Sequence, residues 1–403
     1  MQAAEAWYAL ASAQLNAAAA MRLLEVFQQP EAIFAATPRE WTARAKLSAS
    51  GCARLVDAAN RDLSAELARL ERTGIQLIAF YDDAYPTRLR AIPDPPPTLF
   101  IHGTLSSADE RAIAIVGSRR ASPYGRQVAA ELAVGLAQRG ITIVSGLALG
   151  ADAAAHEGAL RAGGRTLAVL GGGVDVIYPP EHAALYARVA ASGAVISEAP
   201  PGSPPVKMSF PIRNRIISGL SLGVVVVEAP EKSGALITAR HALDQGREVF
   251  AVPGSVNSVQ SRGSHQLLRD GARLVESVDD ILEELNWHIP AKPSAPPTGP
   301  SWDLDTPTAS NSPTPMHKTI SAVSARPAAT PSPSVAPSPA APLPSLPPEE
   351  EQLLRLLTTT AKHIDVLIEE SDLSPAQINA GLLMLELKGY VQRRPGNQYI
   401  RIQ

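Results

Sequence analysis

The chain of 403 residues has one cysteine, Cys52. No internal disulfide can form, which excludes a disulfide-stapled secreted scaffold and fits a reducing compartment. Cys52 lies in a helical pattern and is expected to be a small buried hydrophobe. Long hydrophobic runs are also missing. The most apolar segment, residues 224–227 with their flanks, is far too short to span a bilayer, so no membrane partner is expected. Glu5 stands where a secretion signal would need a basic region, and a cytoplasmic location is predicted. No excess of positive charge exists either. The formal net charge is −3, so any site for a polyanion must be a local patch. No cysteine–histidine cluster has metal-ligand spacing, and no Ser/His/Asp order is apparent. No GxGxxG turn is followed by an acidic residue about twenty positions later, so no nicotinamide or flavin cofactor is expected.

What is present falls into four regions. Residues 1–70 read as short amphipathic helices broken by Pro30 and Pro38, a small helical domain of the SAM or helix-hairpin-helix type. Its first turn, "SAQLNAAAA", has no glycine to bring backbone N–H groups up to a phosphate, so packing or protein contact is the expected role. Residues 75–287 alternate strand and helix patterns: "AIAIVG", "ITIVSG", "TLAVLG", "AVISEA", "GVVVVEA", "EVFAVPG" and "ARLVES" are mostly continuous apolar runs. Such runs suit parallel strands covered on both faces, and the alternation predicts a doubly wound, extended Rossmann-like α/β sheet. "IQLIAF" and "TLFIHG" are expected to extend it. Residues 288–347 are rich in Pro, Ala, Ser and Thr, with little to bury, and read as a disordered linker. Residues 348–403 read as three helical patterns, with Ser374 as an N-cap. A hairpin turning at Pro395-Gly396-Asn397 then completes a winged helix.

In a doubly wound sheet, ligands bind at the carboxyl ends of the strands. The loop after the first parallel strand, "GSRRASPYG", places Gly117, Ser118 and Arg119 in a tight turn into a helix, which suits phosphate. The loop after the fourth, "PPGSPPVKMSFPIRNR", brings Lys207, Phe210, Arg213, Asn214 and Arg215. After the fifth, "EKSGALITA" offers Ser233, Gly234 and Thr238 at another helix start. No Asp or Glu occurs in residues 199–227 or 111–130. That segregation predicts a basic groove on one rim of the sheet. Two arginines at a helix start are unfavourable unless an anion sits on them. Phe210 among cations suits successive phosphates with a base stacked on the ring, which gives tight, sequence-tolerant binding. Its alternative role is packing the loop onto the sheet. Asp152 and His156, four apart on one helix, are either an acid–base pair or a structural pair, and the structural role is the expected one.

These stretches carry a resemblance. "IVGSRRASPYG", "VSGLALGADAAAHEGAL", "YPPEHAALY", "FPIRNRIISGLS" and "VVEAPEKSGALITARHALDQGREVFAVPG" are similar to successive motifs of the DNA-processing protein A (DprA/Smf) family. The resemblance implies a non-catalytic protein that binds single-stranded DNA during natural transformation, protects it, and helps load the RecA recombinase. It implies DNA contacts at Arg119, Lys207 and Phe210. It also implies a homodimer formed, and RecA met, through residues 266–285. The competing layout is a nucleotide-processing enzyme of the lysine-decarboxylase-like (cytokinin-activating) type. That family carries a PGGxGT turn with a nearby catalytic glutamate, where this chain has "EKSGALITA". The winged-helix tail has no Lys or Arg in its third helix and several glutamates before it, so it is expected to dock protein rather than DNA.

Overall fold

The computed structural model describes residues 2–285 and, with short gaps, residues 347–402. The chain divides into two compact units, one on each side of residues 301–302. The linker expected at 288–347 lies outside the described residues, apart from its last position.

The first unit begins with six helices: α1 (Ala3–Ser12), α2 (Ala17–Phe27), α3 (Pro30–Ala35), α4 (Pro38–Ala45), α5 (Ala49–Ala59) and α6 (Ser64–Thr73). Their starts follow from local chemistry. Asn16 and Ser48 each cap a helix with the side-chain oxygen. Thr37 and Glu40 form a reciprocal capping box ahead of α4, satisfying N–H groups that have no partner within the helix. Leu23, Leu24, Ile33, Trp41 and Leu55 close around a core, with the Trp41 indole N–H donating to the Ile33 carbonyl at 2.7 Å. Cys52 is buried in α5, as expected. The helices do not stand apart from the sheet: Tyr8 meets Phe100 edge-on at 5.5 Å, and Ala79 joins the helical core.

The α/β part follows: β1 (Gln76–Ala79), α7 (Thr87–Arg90), β2 (Thr98–Gly103), β3 (Ala112–Val116), α8 (Pro123–Gln138), β4 (Thr142–Ser145), α9 (Ala151–Arg161), β5 (Thr166–Val169), α10 (Ala183–Ser192), β6 (Ala194–Ser197), α11 (Ser209–Gly219), β7 (Gly223–Val226), α12 (Gly234–Asp244), β8 (Glu248–Ala251), α13 (Arg262–Arg269), β9 (Arg273–Leu274) and α14 (Val278–Glu284). The strands form one sheet in the order β1-β2-β6-β5-β4-β3-β7-β8-β9. From β6 to β9 all pairings are parallel. The two added strands extend the sheet, as expected, and do so in the opposite sense: β2 runs antiparallel to both β6 and β1. The connection from β1 to β2 holds only the one-turn helix α7, and the two strands form an antiparallel pair at the edge.

Alternate residues of each strand serve opposite faces. Ala112, Ala114, Val116, Val224 and Val226 pack under α11 and α12, together with Ile216 and Ala239. Ile113, Ile115, Ile143 and Val225 pack under α8 and α9, together with Leu132 and Ala155. Helix α8 ends where Gly140 takes φ +74°, a left-handed value that glycine adopts without a Cβ penalty. The strand order reverses at β3, with β4 on one side and β7 on the other, so the loops at the carboxyl ends of these strands diverge and leave a crevice.

The second unit contains α15 (Pro348–Leu356), β10 (Lys362–His363), α16 (Pro375–Leu387), β11 (Val391–Arg394) and β12 (Gln398–Arg401), the strands pairing in the order β10-β12-β11. Leu353, Leu382, Leu385, Val391 and Tyr399 form its core. Most of the expected middle helix, the Ser374 cap and the Pro395-Gly396-Asn397 turn lie outside the described residues. His363, expected in a helix, instead pairs with Gln398 in the sheet. Glu350 departs from the expected acidic surface: it is buried and accepts from Lys388 Nζ at 2.6 Å. Glu370 likewise pairs with Lys362 at 2.8 Å. Helix α16 carries no base, and its Glu386 is exposed, as the sequence pattern implies.

Candidate nucleic-acid interface

A cleft of about 750 Å³ opens at the crevice where strand order reverses. Every sequence-predicted residue except Arg215 lines it: Gly117, Ser118, Arg119, Lys207, Phe210, Arg213, Asn214, Ser233, Gly234 and Thr238. They play different parts.

Arg119, Lys207 and Phe210 face the opening. Arg119 and Lys207 are exposed, and the Arg119 guanidinium lies 4.8 Å from the centroid of the half-buried Phe210 ring. Tyr178, which the sequence reading missed, leans on the same ring at 5.6 Å with a 44° tilt and keeps 45% of its surface exposed. Arg120 and Lys232 add two further exposed cations to the walls. Among the described residues no carboxylate neutralises these four cations in an ion pair. Cations around a wet aromatic pair suit phosphates and bases together.

Gly117 allows the turn beneath them. A Cβ there would come within 2.7 Å of the Ala151 Cβ, closer than packed carbons approach. The turn is not, however, an open phosphate cradle. Ser118 N–H donates to the Glu228 carbonyl at 2.7 Å, and Ser118 Oγ donates to Gln260 Oε1 at 2.8 Å. The start of α8 already holds an anion of the protein's own: the buried Glu228 carboxylate accepts from Ser122 N–H at 2.8 Å and Ser122 Oγ at 2.7 Å. Ser122 Oγ in turn accepts from Gly125 N–H at 3.1 Å, and Pro123 has no N–H to offer, so the cap and the buried carboxylate occupy the place at the helix start that a phosphate would need. The expectation of backbone phosphate binding at this helix start is therefore corrected, and Arg119 is the part of the turn left to meet a ligand.

Arg213, Asn214 and Arg215 are also corrected from surface contacts to framework. Arg213 is 4% exposed and donates from Nη1 to the carbonyls of Gly146, at 2.9 Å, and Val169. Burial lowers its pKa to about 10, against the opposing pull of Asp152. Burial likewise raises the Asp152 carboxyl, against Arg213 and three backbone N–H groups. Arg215 is 2% exposed; it grips Glu198 with two bonds at 2.9 and 2.6 Å and donates from Nε to the Asp94 carbonyl at 3.0 Å. Burial pulls its pKa down, but Glu198 and Asp94 more than offset this and the net shift is upward. The anions that Arg215 needed are thus carboxylates of the protein itself, whereas Arg213 is held by backbone carbonyls with the Asp152 charge acting at longer range. Asn214 Nδ2 donates to the Gly234 carbonyl at 3.1 Å and ties α11 to the start of α12. Ser233 caps α12, Gly234 is open to solvent, and Thr238 is buried beneath, its hydroxyl 3.4 Å from the Gly234 carbonyl.

Asp152 and His156 do not form an acid–base pair. Asp152 accepts from Gly146 N–H at 3.1 Å. His156 is fully buried, accepts at Nε2 from Leu147 N–H and bonds through Nδ1 to Thr166 Oγ1, which donates to the Ile143 carbonyl. That chain of donors makes the imidazole neutral with its proton on Nδ1, and burial lowers its pKa to about 3. Its work is to hold the loop after β4, where Leu147 takes φ +54°. Among the described residues no group of three or more His, Cys, Asp or Glu side chains could hold a metal ion, and no helix is long and apolar enough to cross a membrane.

Residues 76–286 match the family described as DNA recombination-mediator protein A, and residues 337–397 match the DprA winged helix domain. The chain belongs to the DNA recombination-mediator protein A family. It is 45% identical over 237 residues to Protein Smf of Escherichia coli, covering 59% of this chain and 63% of that protein. It is 46% identical over 220 residues to the DNA processing protein DprA of Bacillus subtilis, covering 54% of this chain and 74% of that protein. Among solved structures, DNA processing protein A of Streptococcus pneumoniae aligns with a TM-score of 0.61 at 36% identity, covering 69% of this chain and 96% of that one. The match spans less than two thirds of the E. coli relative's length. Within the family region lie the whole parallel sheet and the cleft at its reversal point.

Proposed function

We propose that this chain binds single-stranded DNA in the cleft between β3, β4 and β7 without strong sequence preference, as a DNA-processing protein of transformation. The observation that carries the reading is the Arg119–Phe210–Tyr178 group, set among exposed Lys207, Arg120 and Lys232. Phosphates meet the cations while bases stack on the rings, and stacking is sequence-tolerant because every base has a π-face. A duplex, whose bases are already stacked, could use only the cations.

The further roles rest on family membership. The protein acts in the cytoplasm, shields incoming strands and helps load the RecA recombinase. It self-associates through residues 266–285, where the two-residue strand β9 ends the sheet and leaves an edge that a second copy can pair with. The winged helix serves as a protein-docking module on its linker, since α16 offers a major groove no base. The protein works as a binder rather than an enzyme: the one candidate acid–base pair is engaged internally.

The test is a titration of the full chain with fluorescent oligo-dT, run beside chromatography of mono- and oligonucleotides incubated with the same preparation. Tight binding with no nucleotide breakdown is expected. Turnover of nucleotides would favour the enzyme reading, and failure to bind oligo-dT would overturn the proposal.

A further inference from the structure

A single carboxylate joins the helical domain to both aromatic-bearing loops of the cleft. Asp175 lies in the loop after β5, three residues before Tyr178. Its Oδ2 accepts from the Arg69 guanidinium of α6, and its Oδ1 accepts from Gly202 N–H at 2.7 Å. Gly202 lies in the loop after β6, the segment that carries Lys207 and Phe210. Neither Asp175 nor Arg69 is among the residues that line the cleft.

The two loops have few other ties. Residues 198–208 contain no helix or strand, and Gly202, Pro204, Val206, Lys207 and Met208 are exposed. Gly173 N–H donates to the Ser203 carbonyl at 2.9 Å. The backbones run so close there that a Cβ on Gly173 would stand 2.7 Å from the Pro200 carbonyl oxygen. The Phe210 ring rests on Gly171, where a Cβ would come within 3.3 Å of its Cδ1. Beside Asp175, Val174 is buried against Tyr8 and Leu70 of the helical domain. A shift of either loop is therefore passed directly to the Tyr178–Phe210 pair.

We infer that Asp175, held by Arg69, is a positioning residue for strand binding, which rests on the cleft being the strand site. It fixes the loops after β5 and β6 against each other and so sets the spacing of the two rings. The pair is then formed before a base arrives, and less ordering is left for binding. The helical domain contributes to binding in this way without touching DNA. Charge alone gives the opposite sign, because removing a carboxylate near a phosphate site should tighten binding.

Oligo-dT titrations of the full chain at several salt concentrations, with urea denaturation of the same variants, test this. Asp175→Ala should weaken oligo-dT about tenfold, a difference of about 1.4 kcal/mol. Its log–log salt slope should not change, since no phosphate contact is lost. Asp175→Asn keeps an acceptor for Gly202 N–H and should recover most of that affinity. The Arg69 side chain is 44% exposed, so Arg69→Ala should fold normally. It should weaken binding about threefold at the parent's slope. In a Phe210→Ala background, where the ring is already gone, Asp175→Ala should cost under about twofold. Lower stability of Asp175→Ala with unchanged oligo-dT affinity, tighter binding, or an equal loss with and without Phe210 would overturn the inference. A slope flattened by about 0.7 in Arg69→Ala would make Arg69 a phosphate contact and overturn it too. If the parent does not bind oligo-dT, the strand-binding function falls and this inference with it. If the parent binds and Asp175→Ala binds equally, only the inference is lost.

Discussion

Arg215→Ala and Lys207→Ala separate framework from interface. Both remove one cation from the segment between β6 and β7, and the sequence alone gives no reason to expect different outcomes. In the structure Arg215 is the buried centre of a pair with Glu198 and of a contact with Asp94. Removing one partner of a buried pair leaves the other uncompensated, at a cost of about 3–5 kcal/mol. Glu198 and Asp94 keep 27% and 44% side-chain exposure, so water relieves part of the loss and the expected cost is near the lower end, about 3 kcal/mol. At about 2–4 °C per kcal/mol for a unit of this size, Tm should fall by roughly 6–12 °C. Oligo-dT binding by the folded protein should keep its salt dependence. Lys207 is exposed, so its removal should change stability by under about 0.5 kcal/mol. It should flatten the dependence of log affinity on log salt by about 0.7, one phosphate contact. Urea denaturation and oligo-dT titrations at several salt concentrations read both effects on the same variants. If Arg215→Ala is as stable as the parent while its salt slope falls, the guanidinium meets phosphate and the burial argument fails.

Other outcomes follow from the same geometry. Phe210→Ala should weaken oligo-dT by about 1–3 kcal/mol of lost stacking, and its effect should be non-additive with Arg119→Ala because the two side chains touch; additive losses in a double-mutant cycle would separate them. His156, whose pKa of about 3 lies below the unfolded value, contributes stability that is complete above about pH 6.5 and is lost as pH falls, by up to about 1.4 kcal/mol per unit. Asp152 is raised and acts in the opposite sense, so the difference between parent and His156→Leu at each pH isolates the histidine; a pH-independent difference contradicts the neutral buried imidazole. Deleting residues 290–403 should leave oligo-dT affinity within about threefold, under about 1 kcal/mol; a tenfold loss would make the winged helix a DNA reader.

The parallel core was legible because strands covered on both faces must be apolar at nearly every position, as residues 112–116 and 223–227 are. Direction at the edge was not, since an apolar run such as "TLFIHG" looks the same in either orientation. The cleft was legible as a set of residues, because strand-end loops converge in any doubly wound sheet. What those residues do was only partly legible. Arg119, Lys207 and Phe210 reach the opening, whereas Arg213 turns inward to the carbonyls of Gly146 and Val169, and Arg215 to Asp94 and Glu198, partners that only the fold brings near. Glu228 carried no signal at the end of the run "GVVVVEA", because the Ser122 it bonds lies 106 residues away. Tyr178 carried no signal beyond its ring, because its meeting with Phe210 depends on how the loops after β5 and β6 fold back.

The central claim is that a non-specific, phosphate-dominated site for single-stranded DNA lies on the cleft. Its most direct test is the salt dependence of oligo-dT and oligo-dA affinity for the parent chain and for Arg119→Ala/Lys207→Ala. The parent should bind both oligonucleotides with similar affinity. Its log–log slope should be about −0.7 per phosphate, and the double variant should lose about 1.4 of that slope. A slope near zero in the parent, or the same slope in the double variant, would place the DNA elsewhere.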